Sequence, residues 1–381
     1  MVEEIADLLP AGHPVGHGRI GLRIRWGDAT ATGGDQTVVA AEAIVGSVHR
    51  GAEKLAEVRD YRQVIMLLDR HDWWGAFGSE VGFVLAVERM IGLAVPRRAT
   101  LLRVVLAELT RCSSHLAMLA GALDTAACHE TAGMRVADPG AATAARDAID
   151  VVRELFVRAT GNRVHPMFCR IGGLAADVES GWLVVVHAAL PRVVAAADRA
   201  GEALHGLGIG LAELPSADAR SMAVTGPVAR ACGVDVDLRR DEPYLAYDEV
   251  FAPSDVVPPG PMPAGSGDAA TRWRVLAAEV TAAATVVGRC LDLLSSGPVR
   301  ARLPRTLRVP QGETFAWTES PQGASGYYLV STGGPAPYRL KIRAAMFDTA
   351  AALALALPGT ARADLPLALA SLPTMAGDVD R

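Results

Sequence analysis

Two histidines lie four positions apart near the start of the chain, in the segment His-Pro-Val-Gly-His-Gly at residues 13–18. The proline and the glycines disfavour a helix there, so His13 and His17 are predicted to lie on a tight loop. Imidazole titrates near neutral pH, and in such a loop it could donate a proton to a reducible oxygen. The pair could also supply half of a metal site. The residues alone favour a third interpretation, a turn in which the histidines have no chemical role.

A second group brings acid, base and aromatic side chains together in six consecutive positions, Asp69-Arg70-His71-Asp72-Trp73-Trp74. Such a segment could line a pocket for a flat ligand, because indole rings stack on planar groups. The alternative is that Trp73 and Trp74 are simply large core residues.

Asp124 ends a largely apolar segment that is predicted to be helical. The helix dipole disfavours a carboxylate in a C-terminal turn, which indicates a cationic partner for Asp124. If that partner were a histidine, the carboxylate would orient the imidazole and raise its pKa. Ordinary solvent exposure of Asp124 is the alternative.

Arginine and histidine also recur beside predicted turns, as His49-Arg50 before a helix and as Arg163, His165 and Arg170 further along. An arginine near a helix start opposes the dipole, so Arg50 is expected to bind an anion or acceptor elsewhere. In a functional interpretation Arg50 is a fixed cation near a redox centre or an anionic ligand. A surface arginine is the alternative for Arg50, and loop capping is the alternative for His165.

Familiar metal and nucleotide motifs are missing. The closest two of the five cysteines are 16 residues apart, so the chain has no CxxC pair. We therefore expect free thiols in a reducing compartment, and neither a zinc knuckle nor an iron–sulfur cluster held by this chain alone. Ser113 and His115 are only a weak hydrolase signal without a Gly-x-Ser-x-Gly elbow, and no Walker-type or dinucleotide-binding glycine loop occurs. The cysteines are Cys112, Cys128, Cys169, Cys232 and Cys290.

The composition is typical of a folded, mainly helical protein. Half of the 381 residues are hydrophobic, 21% are charged and the mean hydropathy is +0.23, which excludes an intrinsically disordered chain. The net charge of −5 argues against a generally cationic nucleic-acid binder. No uncharged stretch reaches about 18 residues, and the acidic N-terminus does not resemble a signal peptide, so a cytoplasmic protein is predicted.

Hydrophobic periodicity predicts the elements that position these residues. Alternation over 19–26, followed by an apolar run, predicts an antiparallel β-hairpin over 18–46. Helices are predicted at 51–61, 79–92, 96–123, 144–160, 177–207, 268–296 and 349–357. Ser79 is the predicted cap of the second helix, Pro96 begins the third, and Pro191 is expected to kink the fifth. Loops are predicted at 125–142 and 252–267, and short strands at 313–318, 326–331 and 338–343.

The predicted fold class is α+β, a mainly helical core with small antiparallel β-sheets near the N- and C-terminal ends. Residues 1–48 are predicted to form an N-terminal β-hairpin region. Residues 49–381 are predicted to form the helical core with the C-terminal small sheet, and the two regions together one compact unit.

The order of these signals along the chain is more specific than any one of them. The chain resembles the 49-kDa (D) subunit family of NADH–quinone oxidoreductase, respiratory complex I, over nearly its whole length. The matching segments include His-Arg-Gly-Ala-Glu-Lys-Leu at 49–55, Arg-Ile-Gly-Gly at 170–173, Pro-Tyr-Arg-Leu-Lys-Ile-Arg at 337–343 and Gly-Asp-Val-Asp-Arg at 377–381, with others at 13–18, 85–89, 103–111, 161–166, 225–227, 243–244 and 247–248. The resemblance implies the fold that this family shares with the large subunit of [NiFe] hydrogenases. Those enzymes hold their metals with CxxC pairs, so the metal-free respiratory branch is implied.

The resemblance also implies a function. A member of this family binds no cofactor of its own, and it walls the cavity in which quinone, the substrate, is reduced beside a subunit that holds a [4Fe-4S] cluster. The chain is then expected to be an enzyme subunit, active only in a complex that binds NADH, reduces quinone and translocates protons. Iron–sulfur and membrane subunits are the expected partners, and nucleic acid is not. The expected location is the cytoplasmic side of the cell membrane, as a peripheral protein.

The resemblance assigns roles to five residues. His17 matches the family histidine that hydrogen-bonds the quinone, and Asp124 matches the aspartate that pairs with that histidine. Arg50 and His165 match the arginine and histidine near the cluster. Trp73 stands where the family has the tyrosine that is the other quinone ligand, and an indole N–H donates a hydrogen bond but does not readily supply a proton.

A further departure follows Asp124. Residues 125–140 form a longer, alanine- and glycine-rich segment where the family has an aromatic, charged one. This change and the tryptophan at position 73 both fall around the implied cavity. They leave open an alternative, a structural or docking paralogue whose quinone site is altered.

Overall fold

The computed structural model describes residues 2–7, 20–27, 36–128, 136–255 and 266–381. It has the predicted α+β architecture, with helices through the middle of the chain and a small antiparallel sheet near each end. The helices of these ranges are α1 (Ala52–Ala56), α2 (Tyr61–Leu68), α3 (Ala76–Ile91), α4 (Arg97–Cys128), α5 (Ala141–Thr160), α6 (Trp182–Ala203), α7 (Ser216–Ser221), α8 (Gly226–Ala231), α9 (Leu238–Asp241), α10 (Tyr247–Val250), α11 (Ala269–Leu293), α12 (Phe347–Ala356), α13 (Leu365–Ala370) and α14 (Ala376–Val379). The strands are β1 (Val2–Asp7), β2 (Gly21–Trp26), β3 (Val38–Ile44), β4 (Cys169–Arg170), β5 (Gly173–Leu174), β6 (Gly312–Ser320), β7 (Gly323–Ser331) and β8 (Arg339–Arg343).

Four long helices, α4, α5, α6 and α11, form the centre of the molecule. Both α4 and α6 pack against α5 and α11. Nearly every residue of α4 up to Leu123 is buried, as expected for a helix that is largely apolar on all sides. A side-chain cap starts α11, because Asp268 Oδ1 accepts a hydrogen bond from Thr271 N at 2.8 Å. In the described part of the chain, no helix is long and apolar enough to span a membrane.

The N-terminal sheet has the antiparallel order β1-β2-β3. Leu22 and Ile24 are buried on one face of β2, whereas Arg23 and Arg25 are exposed on the other, as period-two alternation predicts. The pairing of β2 with β3 confirms the predicted hairpin strands, and β1 is an additional strand that the alternation does not predict. The connection at 28–35 lies outside the described residues.

Main-chain hydrogen bonds join the N-terminal sheet to the segment after α12. Val38 N donates to Thr360 O at 2.9 Å, and Gly359 N donates to Val38 O at 2.8 Å. The two ends of the chain therefore meet at β3. The division into regions 1–48 and 49–381 stays a prediction.

The C-terminal sheet is a β6-β7-β8 meander, which confirms the three predicted strands. The sheet packs on α3. At the contact, a Cβ on Gly82 of α3 would overlap the ring of Tyr327, so the close approach of helix and sheet requires glycine there.

Two predictions about helices are wrong, one about where a helix is continuous and one about where a helix starts. The helix expected at 51–61 is interrupted after α1, because the side chain of Asp60 accepts a hydrogen bond from Arg62 N at 2.9 Å and caps α2. Ser79 does not cap α3, which starts at Ala76, and Ser79 is buried inside that helix.

The predicted loop at 125–142 is also too long. Helix α4 continues to Cys128 and α5 begins at Ala141, so the loop is shortened from both sides. Pro191 lies inside α6, which continues on both sides of it as one helix. The kink expected there stays a prediction.

Candidate functional site

A cavity of about 910 Å³ lies beside the C-terminal half of α4. Its walls come from α4, α5, the segment between α2 and α3, the residues before α1 and the loop after α5. Four of the five predicted site residues line it, namely Arg50, Trp73, Asp124 and His165. We call this space the candidate cavity. The fifth residue, His17, lies outside the described residues, as does His13.

Two tryptophans form one wall of the candidate cavity. The ring centroids of Trp73 and Trp74 are 4.6 Å apart, with an interplanar angle of 30°. Trp74 is buried in the core, whereas Trp73 is half-buried. A Cβ on the next residue, Gly75, would overlap Oδ2 of Asp72, so glycine allows the sharp path of the chain behind this wall. The wall can stack against a flat apolar ring.

Asp124 has a cationic partner, as its place near the end of α4 predicts. Nη1 of Arg146 on α5 donates to both carboxylate oxygens, at 2.9 Å to Oδ1 and 2.7 Å to Oδ2. About half of each side chain is exposed, so water screens the pair and its contribution to stability is small. The expected pairing of Asp124 with His17 stays a prediction.

Guanidinium groups of Arg50 and Arg70 also line the candidate cavity. Arg50 Nη2 donates to Arg70 O at 3.3 Å, and Arg70 Nη1 donates to Asp69 Oδ1 at 2.6 Å. Arg50 forms no ion pair with a carboxylate within the described ranges. Its exposed charge is therefore available to an anionic ligand or to a redox centre in contact with this face.

His165 reaches the candidate cavity from the loop after α5. Its Nδ1 lies 3.1 Å from Asp69 O and 3.8 Å from Asp69 Oδ2. Burial raises the pKa of the Asp69 carboxyl, and the charges of Arg70 and His165 oppose that shift. The His165 side chain is 36% exposed, and its Nδ1 is held by the main chain.

Behind the tryptophans, three titratable side chains are buried. His71 Nδ1 lies 3.1 Å from Asp378 Oδ1, and Ser320 Oγ donates to Asp72 Oδ2 at 3.1 Å. Burial, together with the negative charge of Asp378, raises the pKa of Asp72 to about 7. The segment 69–74 is thus divided between the cavity wall and the core.

No group of three or more His, Cys, Asp and Glu side chains in the described ranges is arranged to hold a metal ion. The five cysteines are unbridged, and all except Cys128 are buried. Burial raises the pKa of the Cys112 and Cys169 thiols, which makes them poor nucleophiles. The groups that can bind a ligand or exchange protons at the cavity are therefore carboxylates, guanidiniums and an imidazole.

The contribution of α5 to the cavity is not predicted from the sequence. Arg146, Ile149, Asp150 and Arg153 line it at the i, i+3, i+4, i+7 spacing of one helix face. That spacing is visible in the sequence, and it indicates that these side chains share a surface. It does not indicate that this surface faces Asp124, which belongs to the neighbouring helix α4.

The chain is similar to known proteins over most of its length. The family described as "Respiratory-chain NADH dehydrogenase, 49 Kd subunit" matches residues 140–307 and 303–381. A D-type subunit of the NADH-quinone oxidoreductase of Salinispora tropica is 41% identical over 97% of this chain and 91% of its own length. A D-type subunit of the same enzyme from Streptomyces coelicolor is 41% identical over 97% and 93%. The corresponding chain of Carboxydothermus hydrogenoformans is 34% identical over 99% of both chains.

Proposed function

The chain belongs to the family of the 49-kDa subunit of respiratory-chain NADH dehydrogenase, and we propose that quinone is bound and reduced in its candidate cavity. The chain is a subunit of an oxidoreductase complex, the NADH–quinone oxidoreductase. The proposal concerns the role of this chain within that complex. One observation carries it: Trp73 and Asp124, which the resemblance places at the quinone, and Arg50 and His165, which it places near the cluster, come from four separate segments of the chain and line the same cavity.

The size and lining of the cavity support a quinone. A volume of about 910 Å³ lies within the range of roughly 300–1,000 Å³ that is usual for small-molecule sites. Trp73 and Trp74 offer an aromatic wall for a flat ring, and the small residues Ala117, Ala120 and Gly121 of α4 also line the cavity. Arg146 and His165 supply hydrogen-bond donors that can bind the ring oxygens.

Quinone reduction needs two electrons and two protons. We propose that His17 hydrogen-bonds one quinone oxygen and donates one proton, and that Asp124 orients the imidazole and stabilises its protonated form. Water would then reprotonate the imidazole, which would supply the second proton. Arg146 holds the Asp124 carboxylate from the side of α5 through hydrogen bonds to both of its oxygens. Trp73 would stack against the quinone ring.

Electrons would arrive from a neighbouring subunit. Arg50 and His165 are proposed to lie near its [4Fe-4S] cluster, where a fixed cation and a titratable imidazole would raise and adjust the reduction potential. This chain would itself bind no cofactor. In the whole complex we propose NADH as the electron source, coupled proton translocation, partner subunits in the membrane, and a peripheral position on its cytoplasmic side.

Variants of Asp124 and His17 test the proposal in the purified complex. Asp124→Asn and His17→Ala are expected to lower quinol formation from NADH by about 100-fold, the scale of lost general acid–base catalysis. The matched control is Asp177→Asn. This substitution also breaks a carboxylate–arginine pair, the one between Asp177 and Arg98, but Asp177 does not line the cavity. Reduction of ferricyanide by NADH should be unchanged in every variant, because it does not use the quinone site. Normal quinol formation in both cavity variants would reject the proposed roles.

A structural or docking paralogue is a second candidate, and two observations favour it. Trp73 cannot supply the proton that the family tyrosine supplies, and both oxygens of Asp124 already accept from Arg146. Trp73→Tyr separates the candidates. If the wild-type complex is inactive and this variant restores quinol formation, the chain is a paralogue with an altered site. If the wild-type complex is active, the catalytic proposal stands.

A further inference from the structure

A second depression, of about 790 Å³, is lined by five arginines and no carboxylate. Its other lining side chains are apolar, among them Ile65 of α2, Ile171 and Leu303. The whole chain is acidic, with a net charge of −5, so this cationic surface is a local feature. We call it the arginine groove. Its arginines are Arg62, Arg170, Arg300, Arg302 and Arg305.

The arginine groove is held in shape by its own main chain. Arg62 donates to Pro304 O and to Arg305 O, each at 2.7 Å. On the other side, Ala301 N donates to Gly172 O at 2.7 Å, next to the bridge that pairs Gly173 with Arg300. The segment 299–305 has no helix of its own, yet it is tied at both ends. The main chain that carries these arginines is therefore ordered before a partner binds, which lowers the ordering cost of binding.

Three of the five guanidinium groups have no partner in the described part of the chain. Arg300, Arg302 and Arg305 are exposed and form no ion pair there, whereas Arg62 and Arg170 donate to main-chain oxygens. Several other exposed arginines are paired with a carboxylate, as Arg97–Glu249, Arg146–Asp124, Arg199–Asp138 and Arg362–Glu4 show. The groove thus gathers like charges that an anionic partner would neutralise.

The shape of the groove favours a polypeptide over a single small anion. One phosphate would occupy a small part of about 790 Å³ and would leave the apolar floor exposed to water. Residues two positions apart on an extended chain are about 7 Å apart, so Arg300 and Arg302 match carboxylates at the same spacing on a facing chain. Arg–carboxylate pairs can be bidentate, which adds geometric specificity to the charge attraction.

We propose that the arginine groove docks an acidic segment of a neighbouring subunit of the complex, with its Asp or Glu side chains on Arg300, Arg302 and Arg305 and its apolar side chains on the groove floor. The docked segment would lie beside the candidate cavity, because Arg70 lines that cavity and its Nη1 contacts Met66 O at 3.0 Å and Met167 Sδ at 3.1 Å in the groove wall. The proposal requires only that the chain is a subunit of a larger complex, so it can fail or hold independently of quinone reduction.

Carbodiimide coupling of the intact complex tests the proposal directly. The reagent joins lysine amines to carboxylates without a spacer, so Arg300→Lys, Arg302→Lys and Arg305→Lys keep the charge and add a reactive amine. Mass spectrometry is expected to find each variant joined to Asp or Glu residues of one segment of one neighbouring subunit. The control is Arg220→Lys, an exposed position on α7 outside the groove, which sets the background. Absence of any inter-subunit product above that background at all three groove positions would overturn the proposal.

Charge reversal gives an independent readout. The triple variant Arg300→Glu, Arg302→Glu and Arg305→Glu should retain at least tenfold less of the coupled subunit on purification, and replacing the coupled acids by lysine in that subunit should restore it. Unchanged helix content and melting temperature of the variant chain would show that it folds. Full retention of the subunit would contradict the proposal. A different outcome is that an anionic phospholipid is recovered from the wild-type complex and lost from the triple variant, while every subunit is retained. That result would show that the groove binds a lipid, and it would overturn the proposal.

Discussion

The core beneath α4 and the candidate cavity at its C-terminal half use the same residue types in opposite ways. In the core, arginines, carboxylates and one histidine form a buried ionic cluster in which every charge has a close partner. In the cavity, similar groups are half-exposed and only partly paired. The buried ionic cluster consists of Glu108, Arg111, His115, Arg230, Asp237, Arg239, Glu279 and Glu319.

Within the cluster, Glu279 connects two helices. Its Oε1 accepts from Arg230 Nε at 2.7 Å, and its Oε2 lies 2.9 Å from His115 Nε2. Burial opposes ionisation of Glu279, yet the charge of Arg230 and the hydrogen bond from His115 hold the pKa of this carboxyl well below its usual range. Burial also lowers the pKa of His115, so this imidazole is neutral and enclosed. The histidine of the weak hydrolase signal therefore belongs to the core.

The difference teaches that burial and pairing, and not residue type, separate structural charges from those available for chemistry. Asp124 and Glu279 are both carboxylates that accept from an arginine, but only Asp124 faces a cavity and water. Changes in the cluster should therefore act on folding, and changes in the cavity should act on quinone reduction. The following predictions test that contrast.

The largest effect on stability is expected from Glu279→Ala. Removing this carboxylate leaves Arg230 and His115 buried without their partner, which should lower the free energy of unfolding by about 3–5 kcal/mol. Urea unfolding of the full-length chain, followed by circular dichroism, measures the change. Glu179→Ala, which breaks an exposed pair with Arg158, should cost at most about 1 kcal/mol. Equal effects of the two variants would contradict the contrast.

Asp72→Asn should change how stability depends on pH. The pKa of Asp72 is raised from its ordinary value to about 7, so the native state holds a proton that the unfolded chain releases at lower pH. Stability from this group is full below about pH 4 and is lost as the pH rises to about 7, by at most about 4 kcal/mol.

The asparagine variant mimics the protonated form and should remove that part of the loss. Unfolding measured between pH 4 and pH 8 in wild type and variant checks the prediction. Glu80, whose pKa burial raises to about 8, titrates in an overlapping range and should keep its own contribution in the variant. Parallel stability curves for wild type and variant would show that Asp72 is ionised throughout.

Gly75→Ala should disturb the tryptophan wall by a smaller amount. The added methyl group would overlap the carboxylate of Asp72, so overpacking should cost about 1–3 kcal/mol and displace Trp73 and Trp74. The matched control is Gly78→Ala, three positions on in α3, where a Cβ meets no atom within 4 Å. Tryptophan fluorescence and urea unfolding report both changes. A red-shifted emission is expected only for the variant at position 75, and equal behaviour of the two would refute the predicted overlap.

The smallest effect on stability is expected at Asp124, where the largest effect on activity is proposed. Asp124→Asn breaks a screened, half-exposed pair and should change the free energy of unfolding by less than about 1 kcal/mol. Urea unfolding beside the assay of quinol formation separates the two quantities. A loss of stability comparable to that of Glu279→Ala would place Asp124 with the structural charges.

Much of the fold is predictable because its elements are locally periodic. The alternation of Leu22 and Ile24 with arginines predicts β2, and the spacing of apolar residues predicts the long helices. The start of α3 is missed because Gly75, which precedes it, has no capping side chain, while Ser79 resembles a cap. Local signals also do not predict β1, because Glu3 and Glu4 interrupt the alternation of apolar and polar residues in its sequence.

The site is less predictable because its residues come from separate segments. A cationic partner for Asp124 follows from the helix dipole, but the choice of Arg146 depends on how α4 and α5 pack. Likewise, the sequence places His71 and Trp73 two positions apart, and only the fold directs one toward the core and the other toward the cavity. The roles of Arg50, His165 and His17 come from resemblance, and they stay predictions.

The central claim is that quinone lodges in the candidate cavity. A photoreactive quinone, activated on the purified complex and mapped by mass spectrometry, tests this claim most directly. We predict labelled peptides that contain the cavity-lining residues of α4 between Ala117 and Asp124 or of α5 between Arg146 and Arg153, and loss of that label in excess unlabelled quinone. Competable label only on other segments of this chain, or only on other subunits, would contradict it.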